Sequence, residues 1–173
     1  MRKFSHQEIV ERQNIRKSEP AVPLTVVCVN IRSLYNVGSI FRTADGAGVE
    51  KIWLCGITGC PPQPGICKIA LGAEDRVPWE YHADAFTVVR QLKQSGYQIV
   101  LLEQMDASVE YHRFKPVGPV GLVVGNEIEG LDEHLVPLAD AAIDIYMAGI
   151  KNSLNVSVAF GIVAYHLRTR LKG

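Results

Sequence analysis

Three separated segments of the chain each join the end of a predicted β-strand to glycine and polar side chains. In one-letter code they are VNIRSLYNVGSIFRTADGAGV (residues 29–49), GLVVGNEIEGL (121–131) and IYMAGIKNSLNVSVAFGI (145–162). Open α/β sheets bind ligands at this end of their strands. None of the segments is a phosphate-binding P-loop or a G-x-G-x-x-G dinucleotide fingerprint. The pattern therefore predicts a ligand site made of three loops, which could take a nucleotide by other means.

The elements that must position these loops alternate between strand and helix. The predicted strands are 24–29, 51–55, 97–102, 119–124 and 141–145, and the predicted helices between and after them are 37–47, 84–94 and 153–171. Residues 19–23 are expected to form an extended linker, and residues 56–67 a long loop. This alternation predicts an α/β fold with a mostly parallel sheet and helices on both faces.

The predicted C-terminal helix carries apolar side chains around most of its circumference. These are Leu154, Val156, Val158, Phe160, Ile162, Val163, Tyr165 and Leu167. Leaving one such face in water would lose several kcal/mol of folding free energy, because each fully buried apolar side chain contributes roughly 1.5 to 3 kcal/mol. The sheet can cover one side of the helix. A partner subunit or another helix of the same chain could cover the second.

Both ends of the chain are basic although the formal net charge is zero. Residues 1–17 hold five basic and two acidic side chains and the last six residues hold three basic ones, whereas the rest of the chain holds 10 basic and 16 acidic. Ser5 and Glu8 form a capping-box pattern that predicts a polar helix from Phe4 to about Lys17. The chain is therefore divided into a basic helical extension (1–17) and a main domain (18–173). Local positive potential suits RNA, and solvated faces without a partner are the alternative.

Composition excludes several other classes of protein. A chain of 173 residues that is 47% hydrophobic and 21% charged has one folded domain's worth of sequence, not a disordered or fibrous one. The uncharged stretch 53–67 holds three glycines and three prolines, so no membrane span is expected, and no apolar run follows the first basic residues. A cytoplasmic location is therefore expected. The four cysteines and five histidines lack metal-ligand spacing, which predicts free thiols and no metal site.

In their order and separation, the three segments resemble the SpoU/TrmH family of RNA 2′-O-ribose methyltransferases, part of the SPOUT superfamily. The matching residues are Asn36 and Arg42 in the first motif, Glu127 in the second (VVGNEIEG), and Ser153 and Asn155 in the third (NSLNVSVA). The resemblance covers about residues 24–170. It implies a C-terminal deep trefoil knot (the SPOUT fold), a homodimer, S-adenosylmethionine as cofactor, and tRNA or rRNA as substrate. The knot is implied by the resemblance alone, because connectivity rules argue against knots.

The resemblance also implies which residues bind the cofactor. They are Val124, Gly125, Asn126, Ile145, Met147, Ser153 and Leu154. Apolar walls with a few polar groups are what a largely neutral adenosine requires. Tyr146 stands where the family usually has proline, so the exit from the strand could be less rigid here. Cofactor affinity, not the reaction, is the property that this departure affects.

Catalytic roles are likewise implied by the resemblance. They fall on Arg42, Asn36, Glu127, Ser153 and Asn155. Arg42 would face the substrate ribose and phosphate, in this family from the other subunit. Asn36 would order the first loop. Glu127, Ser153 and Asn155 would hold the knot loops and the polar end of the cofactor. A guanidinium keeps its proton at neutral pH. We therefore expect Arg42 to stay cationic, grip a phosphate and stabilise the developing alkoxide, while water or phosphate accepts the proton.

Other interpretations of the same residues stay open on sequence alone. Arg42 could pair with Asp45 one helical turn away, and Glu127 could be a solvated loop acid. Ser153 and Asn36 could each only begin a helix. The alternative function is a non-catalytic RNA-binding module that keeps the knotted fold.

Overall fold

Helices and strands alternate along most of the chain. The computed structural model describes residues 1–16, 19–126 and 129–172. The helices are α1 (His6–Arg16), α2 (Leu34–Ala47), α3 (Pro64–Ala70), α4 (Ala85–Gln94) and α5 (Val156–Leu171), with short 3₁₀ helices at Ala73–Asp75 and Glu133–Leu138. The strands are β1 (Val22–Val29), β2 (Val49–Cys55), β3 (Trp79–His82), β4 (Gln98–Leu102), β5 (Val109–Glu110), β6 (Val120–Val124) and β7 (Ala141–Asp144).

Within the described residues, these strands form one sheet in the order β3-β2-β1-β6-β4-β7-β5. Every pairing is parallel; Val27 of β1, for example, lies between Trp53 of β2 and Val123 of β6. Because the strands are parallel, their carboxyl ends meet at one edge of the sheet. The loops after β1, β4, β6 and β7 therefore converge there, around the strand β6 that the chain inserts between β1 and β4.

Alternate side chains of β1 enter two different cores. Val26 and Cys28 are buried with side chains of α2, α3 and α5, whereas Val27 and Val29 are buried with those of α4. Successive side chains of a strand point to opposite faces, so the sheet is covered on both. The predicted α/β class, with a parallel sheet and helices on both faces, is confirmed.

The structure differs from several of the strands, helices and boundaries that the local sequence predicts. Strands β3 and β5 were not predicted, because each is short and lies at an edge of the sheet. The predicted loop 56–67 ends in helix α3, which packs against α2 so closely that a Cβ on Gly38 would lie 2.6 Å from the carbonyl oxygen of Ile66. Strand β1 already begins at Val22, so the predicted linker 19–23 is shorter. Packing between distant segments, which local sequence does not encode, decides these differences.

Helix α1 lies on the surface of the molecule. Its capping box is formed: Ser5 N donates to the Glu8 carboxylate over 2.8 Å, and Glu8 N donates to Ser5 Oγ over 3.3 Å. Phe4, Ile9 and Ile15 are all exposed. The division of the chain into residues 1–17 and 18–173 stays a prediction, since residues 17 and 18 lie outside the described ranges.

Helix α5 is buried on one side only. Phe160, Val163 and Leu167 are fully buried against the sheet and α2, whereas Val158 and Tyr165 are each 51% exposed. Helix α5 therefore has a second apolar face that the described part of the chain leaves open. Neither it nor any other described helix has the length and apolar character needed to cross a membrane.

Candidate active site

A cavity of about 450 Å³ lies at the carboxyl edge of the sheet, where β4, β6 and β7 end. Its lining includes all the residues assigned to the cofactor by resemblance, namely Val124, Gly125, Asn126, Ile145, Met147, Ser153 and Leu154. The volume is within the ~300–1,000 Å³ range of small-molecule sites. The structure thus brings these seven residues together from three loops, and their role in cofactor binding stays a prediction.

The loop after β6 forms one wall of the cavity and folds back tightly on itself. Gly130 has a positive φ of 69°, and its N–H donates to the carbonyl oxygen of Asn126 over 3.0 Å. A Cβ on Gly125 would lie 2.9 Å from the backbone carbonyl of Gly130. Glycine is therefore required at position 125, because any side chain there would push the loop open. Glu127, assigned to catalysis, lies outside the described residues.

The segments after β7 form the opposite wall. Ile145, Met147, Ser153 and Leu154 line the cavity from this side, and Gln104 Nε2 donates to the carbonyl oxygen of Asn152 over 2.5 Å. Tyr146, which replaces the usual proline, does not line this cavity and is 73% exposed. Its ring therefore leaves the volume of the cavity unchanged.

The end of β4 supplies a third wall that sequence analysis missed. Leu102, Glu103 and Gln104 line the cavity, and a Glu103 carboxylate oxygen accepts a hydrogen bond from Leu131 N over 3.2 Å. These residues follow a predicted strand just as the three motifs do. The rule that parallel sheets bind ligands at their carboxyl edge could have found them.

Asn36 and Asn155 meet outside the cavity, 119 positions apart in sequence. Asn155 Nδ2 donates to Asn36 Oδ1 over 3.1 Å, while Asn155 Oδ1 accepts from Ser157 N over 2.9 Å and so caps α5. The cap of α2 is Ser33, whose Oγ accepts from Asn36 N over 3.3 Å. The interpretation that Ser153 or Asn36 only begins a helix is therefore wrong for both. Asn155 instead joins the start of α2 to the start of α5.

Arg42 is exposed in the middle of α2 and does not line the cavity of its own chain. Asp45, the helical neighbour proposed as its partner, faces Arg76 instead, with 3.6 Å between Asp45 Oδ1 and Arg76 Nε. Within the described residues, no ion pair or hydrogen bond holds the Arg42 guanidinium. The structural interpretation of Arg42 as an intrahelical partner is therefore wrong, and its charge faces solvent.

The loop between β1 and α2 runs beside the cavity. Asn30 has a positive φ of 56°, which asparagine tolerates better than most residues, and its carbonyl oxygen accepts from Asn126 Nδ2 over 3.2 Å. Arg32 Nη2 lies 2.8 Å from Glu129 Oε1. Glu129 lines the cavity. This loop is therefore bonded to the cavity wall at two positions.

The cysteines take no part in this site. All four are free, and burial raises the pKa of Cys55 to about 12 and that of Cys28 further still. Thiols with such pKa values stay protonated at neutral pH and are poor nucleophiles. Among the described residues, no group of three or more His, Cys, Asp or Glu could hold a metal ion.

Comparison with known proteins decides the family. Residues 23–165 match the model of the SpoU rRNA Methylase family. The chain belongs to this family. The tRNA (guanosine(18)-2′-O)-methyltransferase of Thermus thermophilus is 30% identical over 159 residues, which cover 91% of this chain and 80% of that protein. The 23S rRNA (guanosine-2′-O-)-methyltransferase RlmB of Vibrio parahaemolyticus is 30% identical over 179 residues, covering 96% of this chain and 72% of that protein.

Solved SpoU structures share the fold. The TrmH/SpoU tRNA modifying enzyme of A. aeolicus superposes with a TM-score of 0.83 at 29% identity, covering 96% of this chain and 84% of that chain. The AdoMet-bound rRNA methyltransferase of Sinorhizobium meliloti gives a TM-score of 0.81 at 31% identity, with 91% of this chain and 60% of that chain covered. The resemblance to the SpoU/TrmH family is thus confirmed, and the trefoil knot, consistent with these relatives, stays a prediction. The chain spans 61% to 80% of the length of the first curated relatives it matches.

Proposed function

We propose that this SpoU-family chain transfers a methyl group from S-adenosylmethionine to a ribose 2′-hydroxyl of tRNA or rRNA. One observation carries the proposal: loops far apart in sequence meet in one cavity that all seven expected cofactor residues line. The 2′-hydroxyl is the group that distinguishes RNA from DNA. The named relatives modify this position in guanosines of tRNA and 23S rRNA.

The residues of the cavity fit the cofactor. Leu102, Val124, Ile145 and Leu154 offer apolar contact to an adenosine, and the tight Gly125 turn keeps the loop after β6 in place. Three carboxylates, Glu103, Glu129 and Asp144, also line the cavity. Their negative potential favours a ligand that carries positive charge on its sulfur and amino group. When bound, S-adenosylmethionine supplies a methyl group that is already activated, so the main task of the chain is to align the acceptor oxygen, which can contribute ~7–11 kcal/mol.

Arg42 has the properties of an RNA-facing catalytic residue. Its guanidinium is exposed, and no intramolecular ion pair among the described residues neutralises it. A fork of N–H donors can bind a phosphate in bidentate fashion and stabilise negative charge that develops on the ribose oxygen. The proton leaves to water or to the phosphate, because the guanidinium itself stays protonated.

A homodimer would bring Arg42 to a cavity. Helices α2 and α5 pack side by side: a Cβ on Gly46 would lie 2.6 Å from Tyr165 Oη, so the exposed side of α5 adjoins the face of α2 that carries Arg42. Val158 and Tyr165 give this joint surface an apolar character. A second copy seated there would cover both side chains and place the Arg42 of one subunit near the cavity of the other.

RNA binding would draw on cations at the edges of the subunit. Arg12 and Lys3 are exposed on and beside α1. In the C-terminal tail, Arg168 donates to the carbonyl oxygen of Ala47 over 2.7 Å, and both Arg168 and Lys172 pair with Glu19. The tail therefore contributes to RNA binding mainly through Arg170. Such a protein would work in the cytoplasm, where tRNA and rRNA are modified.

Two measurements test the proposal. Calorimetry should show S-adenosylmethionine binding at micromolar concentration, and ribose-methylation mapping of total RNA should reveal one nucleotide that loses its methyl group when the gene is deleted. Binding of RNA without binding of S-adenosylmethionine would instead support the non-catalytic module. Binding of the cofactor with an unchanged methylation map would contradict RNA as the substrate.

A further inference from the structure

Residues 30–36, here called the clasp segment, are bonded to two walls of the cavity without lining it. On the side of the β6 loop, the carbonyl oxygen of Asn30 accepts from Asn126 Nδ2, and Arg32 pairs with Glu129 over 2.8 Å. On the other side, Asn36 accepts from Asn155 over 3.1 Å. The clasp segment therefore bridges the loop after β6 and the start of α5, which border the same cavity.

Of the bonds that hold Glu129, its ion pair with Arg32 is the strongest. The backbone N–H of Glu129 donates to Asn126 Oδ1 over 3.4 Å, at the long limit for such a bond. The side chain, by contrast, forms a charge-assisted bond 2.8 Å long with Arg32. Arg32 thus holds the carboxylate of Glu129, which lines the cavity.

We infer that Arg32 is a positioning residue that retains the cofactor by holding the carboxylate of Glu129 at the cavity. This inference rests on the proposed function, since it assumes that the cavity takes S-adenosylmethionine. Arg32 itself does not line the cavity, and so it acts through Glu129.

The expected effect is moderate. The side chains of Arg32 and Glu129 are 54% and 63% exposed, and exposed ion pairs change an equilibrium by about two- to fivefold. Removal of either charge should raise the dissociation constant of S-adenosylmethionine by that factor. The KM for the cofactor should rise equally while kcat at saturating cofactor stays unchanged, because the pair holds the cofactor and does not touch the reacting atoms.

The experiment uses the full chain, with S-adenosylmethionine as probe and calorimetry as readout. The variants are Arg32→Gln, Glu129→Gln, Arg32→Lys and the double variant Arg32→Gln/Glu129→Gln. Glu80→Gln is the matched control: it removes an ion pair of similar length, 2.7 Å to Lys51, on strands away from the cavity. We expect weaker binding in both single glutamine variants, less loss in Arg32→Lys, and wild-type affinity in the control. The double variant should bind no more weakly than Glu129→Gln alone, because Arg32 acts through Glu129.

Salt provides a second readout that a purely structural role would not change. Raising the ionic strength screens exposed charges, so wild-type affinity should fall with salt more steeply than that of Glu129→Gln. The inference is overturned if wild type and both single glutamine variants bind equally, if the effects of the two single variants multiply in the double variant, or if Arg32→Gln alters only RNA affinity. A wild-type protein that binds no S-adenosylmethionine would overturn the proposed function itself.

Discussion

The loop after β6 and the outer face of α2 differ in whether contacts within one chain hold their side chains and backbone. Around the loop, the main-chain bond of Gly130 to Asn126, the bond of Leu131 to the Glu103 carboxylate and the close approach of Gly125 to Gly130 hold the described residues of this wall. On α2, Arg42 is exposed, and neither a cavity nor an ion pair of the described chain engages it. One subunit therefore forms the cavity, whereas no ion pair of the described residues engages Arg42.

Placing an intact Arg42 and an intact cavity on different subunits tests whether the two act together across an interface, and the largest effect is expected here. Arg42→Ala should reduce methyl transfer by about 10²–10³-fold with cofactor affinity unchanged, as expected for loss of a group that stabilises developing charge. A charge introduced into the cavity wall, Leu154→Asp, should abolish cofactor binding. An equimolar mixture of these two inactive variants, allowed to exchange subunits, should recover about a quarter of wild-type activity if Arg42 acts across the interface of a symmetric dimer, because half of the dimers are then mixed and each of these has one complete site. Activity no higher than that of either parent would place Arg42 and its cavity in the same subunit.

A substitution at Gly125 tests whether the close approach of Gly125 to Gly130 is needed to form the cavity wall. Gly125→Ala puts a methyl group against the Gly130 carbonyl at 2.9 Å, and overpacking of this kind costs ~1–3 kcal/mol. We expect cofactor affinity to fall by about 5- to 150-fold, measured by calorimetry. Gly118→Ala is the control, because a Cβ at position 118 meets no atom within 4 Å and should leave affinity unchanged. Equal binding by both variants would mean that the loop opens without cost.

The RNA-facing side should depend on charge more than the cavity does. Deleting residues 1–17 removes Arg2, Lys3 and Arg12 among other cations, and should weaken RNA binding while sparing cofactor affinity. The slope of log affinity against log salt should become shallower by about 0.7–0.9 for each lost phosphate contact. Filter binding across a salt series measures both quantities. Unchanged RNA affinity in the shortened protein would remove α1 from the RNA-binding surface.

The smallest effect is expected where the start of α2 is bonded to the start of α5. Asn155→Ala removes the cap of α5 and the bond to Asn36, and loss of a cap costs ~0.5–2 kcal/mol of stability. Methyl transfer should fall further than this loss of stability explains, because the start of α2 is released. Asp84→Ala, which removes the cap of α4 far from the cavity, should cost similar stability without reducing turnover. Thermal denaturation and the methyl-transfer assay together distinguish the two variants.

Local sequence predicted the long elements well because their signals are local. The predicted strand 24–29, the predicted helix 84–94 and the helix after the Ser5–Glu8 capping box are all present in the structure. Helix α3 was missed because its stability comes from contact with Gly38 of α2, a residue 28 positions away. The Glu103 wall was missed for a similar reason, since no motif marks it and only the position of β4 in the sheet brings it to the cavity.

By itself the sequence determined the α/β class, the three motifs and the family that they resemble, because residue types and spacings along the chain carry this information. The tertiary structure alone decided that Asp45 pairs with Arg76, that Asn155 reaches Asn36, and that Arg32 holds Glu129. Each of these contacts joins residues between 31 and 119 positions apart. Pairings at such separations are fixed by strand order and helix packing in three dimensions, which no local pattern of residues specifies.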